Sequence, residues 1–141
     1  MTFGPDLVWL IEQASLGVYS IDLFRSSLSN IPAGPGPFTT INETGGKAPE
    51  GTHNLALIGI PAYVKPSASI IVRAEDFDVA MERAWELYLL IYAVKNRLVN
   101  GTWWRETVMT QEPFDLLADE KERARVAFNF DAVKRLSPAY S

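Results

Sequence analysis

Between Ala68 and Leu98 the spacing of hydrophobic positions changes once, and the change predicts a strand running directly into a long helix. Ile70, Ile71 and Val72 are β-branched, stiff at χ1 and suited to a pleated surface. From Phe77 onward the apolar positions recur at helical spacing. Phe77, Met81, Ala84, Tyr88 and Ile91 share one face, Ala80, Leu87, Val94 and Leu98 lie beside it, and Trp85 widens the stripe. Glu75, Asp76 and Asp78 fall where this helix begins. Carboxylates there accept from unpaired backbone N–H groups and oppose the positive end of the helix dipole. The same acids have the oxygen chemistry of a divalent-cation site, but helix-start chemistry accounts for them without an ion.

The flanking pattern is weaker. Pro5 to Ser15 predicts a short helix with Leu7, Leu10 and Ile11 facing one way, Trp9 at the side and Gly17 as the stop. Val18 to Phe24 alternates and predicts a strand. The segment Pro32-Ala33-Gly34-Pro35-Gly36-Pro37 breaks regular structure, and Phe38 to Asn42 predicts a short strand. Glu43 to Asn54 is polar and reads as a long loop, so residues 32–54 are expected to be mostly irregular. Leu55 to Ile60 has strand character cut by Pro61, and Tyr63 to Pro66 leads into the strand at Ala68. Asn100-Gly101 marks a cap or turn. Thr102 to Thr110 predicts a strand ended by Gln111-Glu112-Pro113-Phe114, and Asp115 to Glu122 a charged connection. Arg123 to Phe130 predicts the last strand, with Val126, Phe128 and Phe130 on one face. Ala132 to Tyr140 is expected to be a polar tail with one helical turn near Val133 to Leu136. The expected class is α+β: a mixed or antiparallel sheet packed by one long central helix and a short N-terminal helix, in a single domain over 1–141.

Composition narrows the function classes. At 48% hydrophobic, with four Trp, five Tyr and seven Phe in 141 residues, the chain can build a real core. Thirteen Lys and Arg against 17 Asp and Glu leave a net charge of −4, which argues against a nucleic-acid-gripping surface. With no cysteine, disulfides and thiolate metal sites are excluded. No apolar run approaches a membrane span, and the first residues lack the pattern of a signal peptide, so the expectation is assembly in a cytosol without a membrane.

Catalytic chemistry finds little to build on. His53 is the only histidine, and beside Glu50 and Thr52 it reads as a solvated loop residue more readily than as a general base. Glu43-Thr44-Gly45-Gly46-Lys47 has the glycines and lysine of a phosphate loop in the wrong arrangement, since Ala48-Pro49 follows the lysine. Asp115, Asp119, Glu120 and Glu122 beside Lys121, Arg123 and Arg125 read as a solvated turn. Trp103-Trp104 is more informative. Adjacent strand residues point to opposite faces, so one tryptophan can fill the core while the other is covered by a helix or stands at an interface. No cofactor or metal is expected.

The order of three segments carries a resemblance. They are Phe38-Thr39-Thr40-Ile41-Asn42-Glu43-Thr44-Gly45-Gly46, then Ile71-Val72-Arg73-Ala74-Glu75-Asp76-Phe77-Asp78-Val79-Ala80, and last Gln111-Glu112-Pro113-Phe114 with Asp119-Glu120 and Arg123 to Asn129-Phe130. Together they resemble the minor capsid or tail-terminator (tail completion) proteins of long-tailed bacteriophages. The resemblance implies a structural virion protein of the neck, not an enzyme. It implies a hexameric ring capping the head-proximal end of the tail tube, ending tube polymerisation and meeting the head–tail connector or stopper. DNA would pass through the lumen without sequence-specific contact. Interface candidates are Glu43, Thr44, Gly45, Gly46, His53, Trp103 and Trp104. The alternatives are another head–tail joining component, or a small α+β enzyme or ligand-binding domain using the 43–54 loop.

Overall fold

A computed structural model describes residues 3–25, 31–50, 63–117 and 123–135. In chain order the elements are α1 (Phe3–Gln13), β1 (Leu23–Arg25), β2 (Phe38–Glu50), β3 (Tyr63–Ala74), α2 (Phe77–Tyr92), β4 (Lys95–Val99), β5 (Thr102–Asp115) and β6 (Ala124–Arg135). The strands form one sheet in the order β1-β2-β3-β6-β5-β4. β1 pairs parallel with β2, and every other pair is antiparallel. This is the expected α+β class with a mixed sheet.

β3 and β6 show how the core is made. Along β3 every even position is buried, from Val64 to Ala74, while the odd positions are half-buried. Its neighbour matches: Val126, Phe128, Phe130, Ala132 and Lys134 of β6 are buried on the same side. Both helices close this side. Leu7, Leu10 and Ile11 of α1 join one core with Ala80, Ala84, Leu87 and Ile91 of α2. The two alanines let the α2 backbone approach the sheet, and Leu87 and Ile91 each contribute roughly 1.5–3 kcal/mol of burial. Asp76 begins α2 as its N-cap, its Oδ1 accepting the Asp78 N–H at 3.0 Å.

Several boundaries differ from expectation. The helical stripe does not continue to Leu98. Ala93 N–H donates to Leu89 O, Val94 N–H to Ile91 O, and Val94 turns into the core. The chain then forms β4, where Leu98 lies 59% exposed. Asn100 and Gly101 both have positive φ (51° and 83°) in a two-residue hairpin turn joining Val99 to its partner Thr102. Val18 to Asp22 is a turn, not a strand. Val18 O accepts three N–H groups, from Ile21, Asp22 and Leu23, and Val18 N–H donates to Asp22 Oδ1 at 2.6 Å.

The expected loop at 32–54 is corrected in its centre. Residues 38–50 are strand, because β3 supplies a backbone ladder for the polar stretch, with register shifts between Glu43 and Gly45 and between Lys47 and Glu50. Residues 51–54, like the strand expected at 55–60, lie outside the described residues. The Pro/Gly segment packs on the end of β3: Arg73 donates to Pro32 O, and Glu75 N–H donates to Pro35 O at 3.0 Å. β5 runs through Pro113, which sits within a register shift between Gln111 and Phe114, where a missing N–H is tolerated. β6 continues to Arg135 where a polar tail with a helical turn was expected, because its alternation carries on through buried Ala132 and Lys134.

Candidate assembly surfaces

The groups that sequence chemistry singles out are largely tied into the fold. Glu43 sits on β2 opposite Ala68, where its two carboxylate oxygens reach two elements. Oε1 accepts the Gly4 N–H at 3.1 Å and Oε2 accepts from Arg25 Nη2 at 3.3 Å. A carboxylate on an unpaired N–H in the first turn of α1 favours that helix end, so Glu43 clasps α1 and β1 to β2. A Cβ at Gly4 would overlap the Arg25 guanidinium. Thr44, Gly45 and Gly46 are exposed. Gly45 has φ +83° at a register shift, and a Cβ at Gly46 would run into the Lys65 carbonyl across the ladder.

The tryptophan pair divides as the pleat requires. Trp104 is fully buried and contacts Phe3, with centroids 5.6 Å apart; Trp103 lies half-buried on the other face opposite exposed Leu98. His53 lies outside the described residues.

Sequence reasoning missed the most concentrated polar chemistry. Asp6 and Lys134 are both buried, and Lys134 Nζ lies 2.6 Å from Asp6 Oδ2. Trp104 Nε1 donates to the same oxygen at 3.2 Å, and Asn100 Nδ2 donates to Oδ1 at 3.3 Å. The ammonium also lies 5.8 Å from the Phe3 ring centroid and 5.6 Å from that of Trp104. This cluster pins α1, the β4–β5 turn, β5 and β6 together. The signal was available: the buried alternation of Val126, Phe128 and Phe130 reaches Lys134 when carried four residues further.

A groove of about 330 Å³ runs beside α1, lined by Trp9, Glu12, Tyr19, Arg25 and Asn100 among others. Its polar groups are engaged: Glu12 Oε2 accepts the Tyr19 N–H, Arg25 donates to Glu43, and Asn100 donates to Asp6. Among the described residues, no group of three or more His, Asp or Glu is placed to hold a metal ion, and no helix is long and apolar enough to cross a membrane.

Two surfaces remain prominent. One is the outer ridge of α2, where Glu82, Glu86, Leu89 and Tyr92 are exposed, Trp85 meets Tyr88 edge-on and Tyr88 stacks on Tyr92. The other is the sheet face turned away from the helices, on which no described helix lies. It carries Lys65, Ile71 and Arg73 of β3 beside Arg125, Asn129 and Arg135 of β6, with Leu98 and Val108 exposed toward the β4 edge. Its polar groups interlock locally: Ser67 bonds Asp131, and Asn129 donates to Gln111 at 3.2 Å.

The helix-backed sheet carries exposed apolar side chains, and no described strand lies beyond the β4 edge; surfaces of this kind are ones that proteins use to contact one another. The chain belongs to the bacteriophage tail terminator protein family, whose profile matches residues 10–135. It is therefore a structural protein of the phage tail and a component of the virion. No curated protein sequence matches it. Among solved structures, it is similar to a chain in the virion of a native gene transfer agent particle, at 13% identity. That match covers 89% of this chain and 84% of the other, with a TM-score of 0.58, and it supports the fold.

Proposed function

We propose that the chain acts as a single ring-forming domain that caps the head-proximal end of the tail tube. The ring, a hexamer, ends tube polymerisation and presents a surface to the head–tail connector. DNA passes through its lumen without sequence-specific contact. The observation that carries this reading is membership of the tail terminator family across most of the chain. Physical features support it. A ring needs a heterologous interface that closes by rotation, and this chain leaves large apolar residues on two separate surfaces. A net charge of −4 suits a lumen that does not grip DNA. Within this reading, Thr44, Gly45, Gly46 and Trp103 belong to the contact surface, whereas Glu43 and Trp104 hold the subunit's own fold.

Electron microscopy and native mass spectrometry, with and without purified tail tubes, test the proposal. The expected result is rings, free or seated on tube ends, and tubes that no longer elongate. A chain that stays monomeric at high concentration and also in the presence of tube ends overturns it.

A further inference from the structure

We propose that successive subunits join head to tail, the outer ridge of α2 in one copy docking on the helix-free sheet face of the next. This inference rests on the ring reading above and names the surfaces that would close the ring.

Charge is the first observation. The exposed side of α2 is acidic, with Glu75, Asp76, Asp78, Glu82 and Glu86 on or just before it. Its one cation, Arg83, is drawn to Glu86 at 3.7 Å and donates to Leu16 O at 2.7 Å. The helix-free face is basic. Lys65, Arg73, Arg125 and Arg135 lie on β3 and β6, and Arg105 stands over the Tyr63 ring. Asp131 and the half-buried Glu106 lie among them, Arg73 also donates to Pro32 O, and Arg125 donates to Leu117 O at 3.3 Å. The two faces are therefore complementary to each other, and each is repelled by its own kind. Opposite potentials favour a heterologous contact over an isologous one.

Apolar layout is the second observation. Along the α2 ridge the acids run from the start of the helix to Glu86, beside exposed Phe77 and Val79 in the first turn, and Leu89 (56% exposed) and Tyr92 (59%) follow in the last turn. The sheet face is divided in the same way. Arg73 and Arg125 pair at one end of the β3–β6 ladder, while Leu98, Trp103 and Val108 gather toward the β4 side. From Asp78 to Tyr92 the ridge spans about 21 Å. Four strands of sheet present a face of about 15–20 Å across. The second copy is the occupant because one chain carries both halves of the match.

The absence of cysteine makes the test direct. Leu89→Cys and Val108→Cys, both at exposed positions, are prepared separately, and one is isotope-labelled. They are mixed under ring-forming conditions and treated with a flexible bismaleimide. The expected product joins one Leu89→Cys chain to one Val108→Cys chain, with at least about tenfold less homotypic product. In parallel, Leu89→Arg and Val108→Arg should each weaken ring formation about tenfold or more, with unchanged circular dichroism and melting temperature. Homotypic cross-links in comparable yield, or rings that form unimpaired in both arginine variants, overturn the docking mode while leaving the ring reading intact. An unsubstituted protein that forms no ring, alone or on tubes, overturns the ring reading and this inference with it.

Discussion

Removing Lys134 should cost more stability than removing any exposed charge, and the cost should vanish in large part when Asp6 is changed with it. Both side chains are essentially inaccessible, at 1% and 0%, so water cannot replace a lost partner. Lys134→Met takes the ammonium away from the buried Asp6 carboxylate, whose other donors include Trp104 Nε1 and Asn100 Nδ2. Breaking a buried pair in this way costs about 3–5 kcal/mol. Asp6→Asn strands the ammonium instead, at a similar cost. In the double variant neither member of the pair is charged, and the amide oxygen introduced by Asp6→Asn can still accept from Trp104. The net cost of the double change should fall to about 1–2 kcal/mol, a small fraction of the summed single effects. Against a total stability of about 5–15 kcal/mol, each single substitution removes a large share. It should lower the melting temperature by roughly 10–15 °C for a chain of this length. Urea titration of the four proteins at neutral pH closes the cycle. Additive single effects, or a Lys134→Met cost below about 1 kcal/mol, would show that the pair is not the fastening described here.

Other substitutions separate fold from assembly. Gly46→Ala should destabilise the β2–β3 ladder by more than about 1 kcal/mol, read as a lower urea midpoint, because its Cβ meets the Lys65 backbone. Asp76→Ala should cost about 1 kcal/mol through loss of the N-cap, whereas Glu75→Gln should fall within about 0.5 kcal/mol of the parent. If Glu75→Gln blocks rings in a stable protein, that acid belongs to the interface. Trp103→Ser should reduce ring formation, measured by sedimentation, with less loss of melting temperature than Trp104→Ser, whose site is fully buried.

Some features of the candidate surfaces were legible in the sequence and others were not. Trp103 and Trp104 had to part to opposite faces, because the pleat has a period of two. Which one lay inside followed only from the pairing of Trp104 with Lys134 and the approach of α1. The acids at the start of α2 read correctly as helix-start chemistry, since capping is local. Glu43 did not read as a clasp, because Gly4 lies 39 and Arg25 18 residues away along the chain.

What the sequence determined alone was local: the period of α1, the strand-to-helix change at β3–α2, and the buried side of β6 as far as Phe130. These depend on neighbours within a turn or a pleat. The tertiary structure decided what depends on a partner strand or a distant charge. Polar residues 43–50 became strand because β3 offered their backbone a ladder. The alternating segment Val18 to Asp22 stayed a turn because local hydrogen bonds, including that to Asp22, claimed its backbone. β6 reached Arg135 because Asp6, 128 residues before Lys134, gave that ammonium a buried partner. The resemblance of segment order pointed to the family before any contact was known. Which face of the sheet is covered and which is clear of α1 and α2 is set by where those helices pack.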